Sequence, residues 1–366
     1  MKSSFVGWML SISLLIPFAA TDGLPSNSSI IVDTAPDFVR PYVLPKHKGD
    51  AIKLTTSQTI RFSITAKSSD GAFSLLQHNG KASGWLSARP HTHGARVATP
   101  GDYGNIPPGS IHTFQLVDPD SQLTHVFHPG GFEKLFKVFS QGDHDTHSIS
   151  APYVPIPDDP SPFGPMTPRE YNLLVSLDLY AAPEEEYIPR RDFVNGTAGE
   201  GKQSWHDGPN TPPDDSTTPY FVAKDYGPKY LNTDIGYKVI QPLATPTQTE
   251  GNFTMGTIIM SSKLMNESVS TATLPHHFAL QMEEGQLAFQ VQGYELVHLL
   301  HGDVAFVPAG VAFSYYATVP YTKFMYMNAG SKGLDYQLLR RSVSWDFPAY
   351  PISPGFKANI TGSKFT

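Results

Sequence analysis

One motif occurs twice in this chain, and the duplication constrains the fold more than any other feature. Gly101-Asp-Tyr-Gly-Asn-Ile-Pro107-Pro-Gly109-Ser-Ile-His112-Thr-Phe114 aligns with Gly302-Asp-Val-Ala-Phe-Val-Pro308-Ala-Gly310-Val-Ala-Phe313-Ser-Tyr315 at an offset of 201 residues, with Gly, Asp, Pro and Gly in register. Upstream of each copy stands a second shared mark, Pro90-His91-Thr-His93 and Pro275-His276-His277. Around both copies, short alternating runs such as Thr59-Ile-Arg-Phe-Ser-Ile and Thr124-His-Val-Phe are broken by Gly, Pro and Asp, the pattern of strands. Two equivalent regions of this kind predict an all-β chain of two jelly-roll β-barrels. Composition agrees: 30 Gly and 33 Pro in 366 residues, with only 16% charged, favour turns over long solvated helices.

Between Pro152 and Pro219 lie 13 of the 33 prolines, the composition of a linker. Within it, Thr167-Pro-Arg-Glu170 supplies an N-cap, a Pro in the first turn and a Glu at N3. Leu173, Leu174, Leu177 and Tyr180 follow, which predicts one short helix. The chain thus divides into a leader over 1–20, a first barrel over 21–151, a linker over 152–219 and a second barrel over 220–366. The leader begins Met1-Lys2 and carries an apolar run from Val6 to small residues at Ala19 and Ala20, as a secretory signal peptide does. The run is short for a bilayer, so no membrane anchor is expected and the mature chain is expected to be extracellular. Sequons at Asn27, Asn195, Asn252, Asn266 and Asn359 predict N-glycans.

The absence of cysteine excludes a disulfide framework and leaves His and carboxylates as the only strong metal donors. A net charge of −7 without any basic run excludes a nucleic-acid partner. No G-x-S-x-G, phosphate-binding loop or dinucleotide fingerprint occurs. His91 and His93 are two residues apart, so on a strand both imidazoles project from one face, and His112 brings a third from a separate strand. Three neutral imidazoles suit Cu, Zn, Fe or Ni. In the second copy His276 and His277 are adjacent and so face opposite ways, while Phe313 stands where His112 stands, which makes that barrel structural. Glu283 and Glu284 read as solvated, and His125, His128, His144, His147, His206, His298 and His301 as ordinary residues without ligand spacing.

The string Pro-His-x-His, Gly-Asp-Tyr-Gly-x-x-Pro-x-x-x-x-His-Thr-Phe-Gln, Asp118-Pro-Asp and Pro129-Gly-Gly-Phe132-Glu-x-Leu-Phe resembles the fungal quercetin 2,3-dioxygenases, secreted copper-dependent bicupins. The likeness continues through Gly227-Pro-Lys-Tyr-Leu-Asn and Leu274-Pro-His-His-Phe-Ala-Leu-Gln-Met. It implies that His91, His93 and His112 hold one copper, with Fe, Ni, Mn or Zn as alternatives, and that a glutamate completes the site as ligand and base. It further implies that a flavonol such as quercetin reacts there with dioxygen, opening the central ring and releasing carbon monoxide. Phe114, Leu123, Phe127 and Phe132 would wall the substrate pocket.

The sequence departs from that pattern at the glutamate, because His93 is followed by Gly-Ala-Arg-Val-Ala-Thr-Pro-Gly and the next carboxylate is Asp102. From the Pro-His mark to Gly-Asp there are 10 residues in the first copy and 26 in the second, where Gln286-Leu-Ala-Phe-Gln-Val and Tyr294-Glu-Leu-Val-His-Leu read as two strands. The first barrel is therefore expected to lack a hairpin, either lost in descent or omitted from the coding sequence. Two functions follow: a flavonol dioxygenase with weak turnover for want of its base, or a non-catalytic secreted bicupin that binds a small aromatic or serves storage or the wall.

Overall fold

The computed structural model describes residues 29–55, 58–80, 84–86, 98–110, 112, 114–116, 121–144, 167–177, 179 and 210–357. The leader and most of the linker lie outside these residues. The first half carries β1 (Tyr42–Leu44), β2 (Ala51–Thr55), β3 (Gln58–Ile64), β4 (Ser74–Gly80), β5 (Gly84–Leu86), β6 (Tyr103–Asn105), β7 (Phe114–Leu116), β8 (Ser121–Phe127), α1 (Glu133–Val138) and α2 (Pro168–Ser176). In the second half come β9 (Tyr220–Val222), β10 (Tyr230–Asn232), β11 (Lys238–Ala244), α3 (Pro246–Thr249), β12 (Thr254–Met260), β13 (Ala272–Thr273) and β14 (Phe278–Glu284). They are followed by β15 (Leu287–Val291), β16 (Val297–Leu299), β17 (Val304–Val307), β18 (Ala312–Ala317), β19 (Thr322–Asn328), α4 (Leu334–Leu339) and β20 (Ser342–Ser344). The helix foreseen in the linker is α2. Its Thr167 hydroxyl accepts from the Glu170 backbone N–H, and the Glu170 carboxylate accepts in return from the Thr167 N–H. The other helices have at most six residues, too few for a 3.6-residue period to stand out in the sequence.

Strand register shows the duplication directly. β4 runs against β8 from Ser74 opposite Phe127 to Gly80 opposite Ser121, and β12 runs against β19 from Thr254 opposite Asn328 to Met260 opposite Thr322. Both copies carry a register shift at the same place, Phe62/Ile64 and Pro242/Ala244. Equivalent residues are 180 apart on β4 and β12 but 201 apart on β6 and β17, so the first barrel has 21 fewer residues in between. In that interval the second barrel places β14 between β17 and β19 and folds β15 and β16 into a hairpin against β18. In the same interval the described residues of the first barrel hold β5, which pairs with β7 at the register that β15 takes on β18.

The two halves also trade strands. β1 belongs by sequence to the first barrel, yet it pairs with β17 of the second; β9, from the second half, pairs with β6 of the first. The division at residue 151 therefore does not coincide with the sheets. The repeated Gly-Asp mark is the socket for this exchange. Gly101 and Gly302 are both left-handed (φ +97° and +85°), and a Cβ on either would meet the side chain of the lysine that follows the incoming strand, Lys224 or Lys46, at 2.7 and 2.6 Å. One Asp102 oxygen accepts from the Lys224 N–H at 2.8 Å and one Asp303 oxygen from the Lys46 N–H at 2.9 Å. The other oxygens accept from Thr99 and Leu300 N–H, three residues back in each loop. Tyr42 and Tyr220 close the exchange by donating to the carbonyls of Ser63 and Leu243.

Apolar cores follow this plan. The second barrel is filled by Ile258, Phe278, Phe289, Phe313, Phe324 and Tyr326 among others, and a separate layer of Tyr42, Phe73, Leu75, Phe306, Met325 and Met327 lies between the barrels. Hydrogen bonds cross that boundary: Gln77 donates to Gln281 at 3.0 Å, and Gln281 donates to Thr124 at 3.2 Å. Glu283, read as solvated, is instead the 3.0 Å partner of Lys323, whose side chain is 2% exposed; an unpaired ammonium would be costly there. Glu284 lies half-exposed, 3.7 Å from Lys224. No helix among the described residues is long and apolar enough to cross a membrane.

Candidate functional site

The interior of the first barrel is set by period-two alternation. On β8, Leu123, His125 and Phe127 share one face, while Thr124 and Val126 face the second barrel. β4 contributes Leu76 and His78, β7 contributes Phe114, and the segment entering α1 adds Phe132 and Phe136. These rings form one cluster. Phe127 stacks on Phe132 at 4.3 Å, His125 stacks on Phe127 at 5.6 Å, and Phe114 meets both His78 and His125, at 5.6 and 5.5 Å. The expected pocket residues Phe114, Phe127 and Phe132 are thus brought together, with Leu123 on the same strand face; all four are part-buried.

His78 and His125 were not singled out as functional by spacing, yet they occupy the centre. Their ring centroids are 5.6 Å apart. The His78 Nε2–H donates to the Gln58 side-chain oxygen at 2.8 Å, which leaves Nδ1 without a partner; His125 Nε2 also has none. Burial, reinforced by the neighbouring His125, pushes the His78 pKa down to about 3. Burial and the nearby His112 push that of His125 down to about 4. Both rings are uncharged near neutrality. The signal that finds them is the repeat: by register His78 stands where the second barrel has Ile258, Leu123 where it has Phe324, and His125 where it has Tyr326.

His112 is exposed and its Nδ1–H donates to the Ser110 carbonyl at 3.0 Å, which fixes the tautomer that leaves Nε2 as a ligating atom. His91 and His93 lie outside the described residues. Among the described residues no group of three His, Cys, Asp or Glu side chains is placed to hold a metal ion. The equivalents of His93 and His112 are Phe278 and Phe313, and these two rings stack in the second barrel at 5.1 Å. Asp102, the first carboxylate after His93, is committed to the Thr99 and Lys224 N–H groups of the strand-exchange socket.

The chain is 37% identical over 352 aligned residues to a quercetin 2,3-dioxygenase of Aspergillus japonicus, an alignment covering 89% of this chain and 99% of that protein. It belongs to the quercetin 2,3-dioxygenase family. The family is one of cupin dioxygenases that depend on a metal. Because 89% of 366 residues is about 326, roughly 26 of the 352 aligned positions have no residue in this chain. No family model matches the chain. Among solved structures, a putative ethanolamine utilization protein Q of Salmonella typhimurium matches 26% of this chain and 71% of its own at 21% identity and a TM-score of 0.22. The cupin domain of Schizosaccharomyces pombe Cnp3 matches 25% and 64% at 14% identity and the same score.

Proposed function

We propose that the first barrel cleaves the central ring of a flavonol such as quercetin with dioxygen and releases carbon monoxide, and that His91, His93 and His112 hold the copper this chemistry uses. The observation that carries the reading is the 5.1 Å stack of Phe278 on Phe313, because the repeat assigns those positions to His93 and His112. The donor set fits the metal: three neutral imidazoles suit a borderline-soft transition ion, and the His112 tautomer leaves Nε2 as donor. A bound copper supplies Lewis acidity toward the flavonol oxygens and one-electron chemistry toward dioxygen.

The chain's own residues do the rest. Phe114, Phe127 and Phe132 offer ring faces to a flat aromatic and keep water from its reacting edge. The sequence places no carboxylate between His93 and Asp102, and Asp102 is held in the strand-exchange socket. Positioned general-base catalysis contributes about 10²–10⁴-fold, so slow turnover is expected. The same lack supports a second reading, a secreted bicupin that binds a small aromatic without turning it over.

The test is carbon monoxide release and oxygen uptake with quercetin on copper-loaded protein, alongside elemental analysis of His112→Ala and His277→Ala. Stoichiometric copper lost in the first variant only, with slow carbon monoxide release, is the expected result. Copper without any turnover selects the non-catalytic reading, and copper unaffected by His112→Ala refutes the site. Secretion and N-glycosylation belong to the same proposal. Asn252 and Asn266, the two sequons among the described residues, are both exposed, and glycosidase treatment of the secreted chain should lower its mass.

A further inference from the structure

At the register of two first-barrel histidines the second barrel has Ile258 and Tyr326, in a cluster packed with Phe278, Phe313 and Phe324, and there one polar atom, the Tyr326 hydroxyl, is without a hydrogen bond. The first barrel puts His78 and His125 there and leaves one ring nitrogen of each without a hydrogen bond. A buried polar atom left unpaired is costly, so two side by side call for a partner that arrives with a ligand. The surroundings say what kind. The rings of Phe114, Phe127 and Phe132 border the pair, and the 10° angle between His125 and Phe127 aligns the imidazole edge with the aromatic wall. A flat ligand lying along that wall would bring its own edge, and any hydroxyl on it, toward these nitrogens. An uncharged imidazole nitrogen is a good acceptor for a phenolic O–H.

We propose that His78 and His125 form a hydrogen-bonding wall that selects ligands by their phenolic hydroxyls, so that the barrel prefers polyhydroxylated flavonols over those bearing only the hydroxyl at the reacting ring. The inference rests on the flavonol reading above and adds to it which groups on the substrate are recognised and by which residues. Neither histidine is a catalytic residue in this account; both position the substrate.

The full-chain protein as purified is titrated under argon with quercetin and with 3-hydroxyflavone, which keeps the reacting hydroxyl and lacks the others, following protein fluorescence. The wild type should bind quercetin at least about tenfold more tightly, the factor expected for one or more hydrogen bonds to buried groups. His78→Ile and His125→Phe, which replace both rings by apolar side chains, should bring the ratio toward one by weakening quercetin while 3-hydroxyflavone binds as before. His125→Gln, which keeps a polar atom near Nε2, should retain part of the preference. A wild-type ratio below about two overturns the proposal without any variant, and so does an unchanged ratio in folded His78→Ile and His125→Phe. Carbon monoxide release from 3-hydroxyflavone alongside either result leaves the flavonol reading standing. Binding of neither compound overturns both.

Discussion

Single residues in the first barrel trade stability for chemistry, and His78 shows the exchange rate. Its folded pKa is depressed to about 3 from the ordinary 6.5. The unfolded chain therefore binds a proton below pH 6.5 that the folded chain refuses. Stability is fully present above pH 6.5 and falls as pH drops toward 3, by about 1.4 kcal/mol per pH unit from this one group. His125 acts in the same direction, down to about 4. Urea melts at stepped pH should show a steeper loss of stability between pH 6.5 and 4 for the wild type than for His78→Ile. Identical slopes would mean that the ring is protonated in the folded barrel. Spacing alone could not single out these two residues, because a lone histidine in an alternating strand is ordinary; their meaning depends on what the other copy places at the same register.

At the scale of elements, the twofold Gly-Asp mark is explained by strand exchange. Asp303 joins its own loop to the strand entering from the first half, through the Leu300 and Lys46 N–H groups, and Asp102 does the same for the strand entering from the second. Charge-assisted bonds of this kind contribute about 1.5–3 kcal/mol each. Asp303→Ala should lower the midpoint of chemical denaturation accordingly, whereas Asp303→Asn, which keeps one acceptor, should lose less. The short interval between His93 and Gly101 belongs to the same scale. Inserting a Glu-bearing hairpin between His93 and Val97, of the length of β15 and β16 or longer, should raise carbon monoxide release by about 10²–10⁴-fold through the restored base. An unchanged rate would show that the carboxylate was not what limited turnover.

Across the whole molecule, neither barrel is complete without chain from the other half. Strand β1 closes the β17 edge, and an open edge invites pairing with other chains. Removing residues up to 44 should therefore lower the stability of the second barrel and promote association, measured by chemical denaturation and by light scattering. A truncated chain as stable and as monodisperse as the parent would refute that role. The sequence by itself determined that the fold is a duplicated barrel, that one copy has fewer residues between its marks and that three histidines belong to that copy. Local alternation, turn residues and the repeat are all printed in the order of the chain, so no partner need be known to read them. Only the tertiary structure decided that Tyr42 pairs opposite Phe306 and Tyr220 opposite Asn105, and that His78, His125 and Phe114 meet in one cluster. Alternation fixes the face a side chain takes but not the strand it meets; that partner is chosen by which sheet edge remains to be covered once the barrels close.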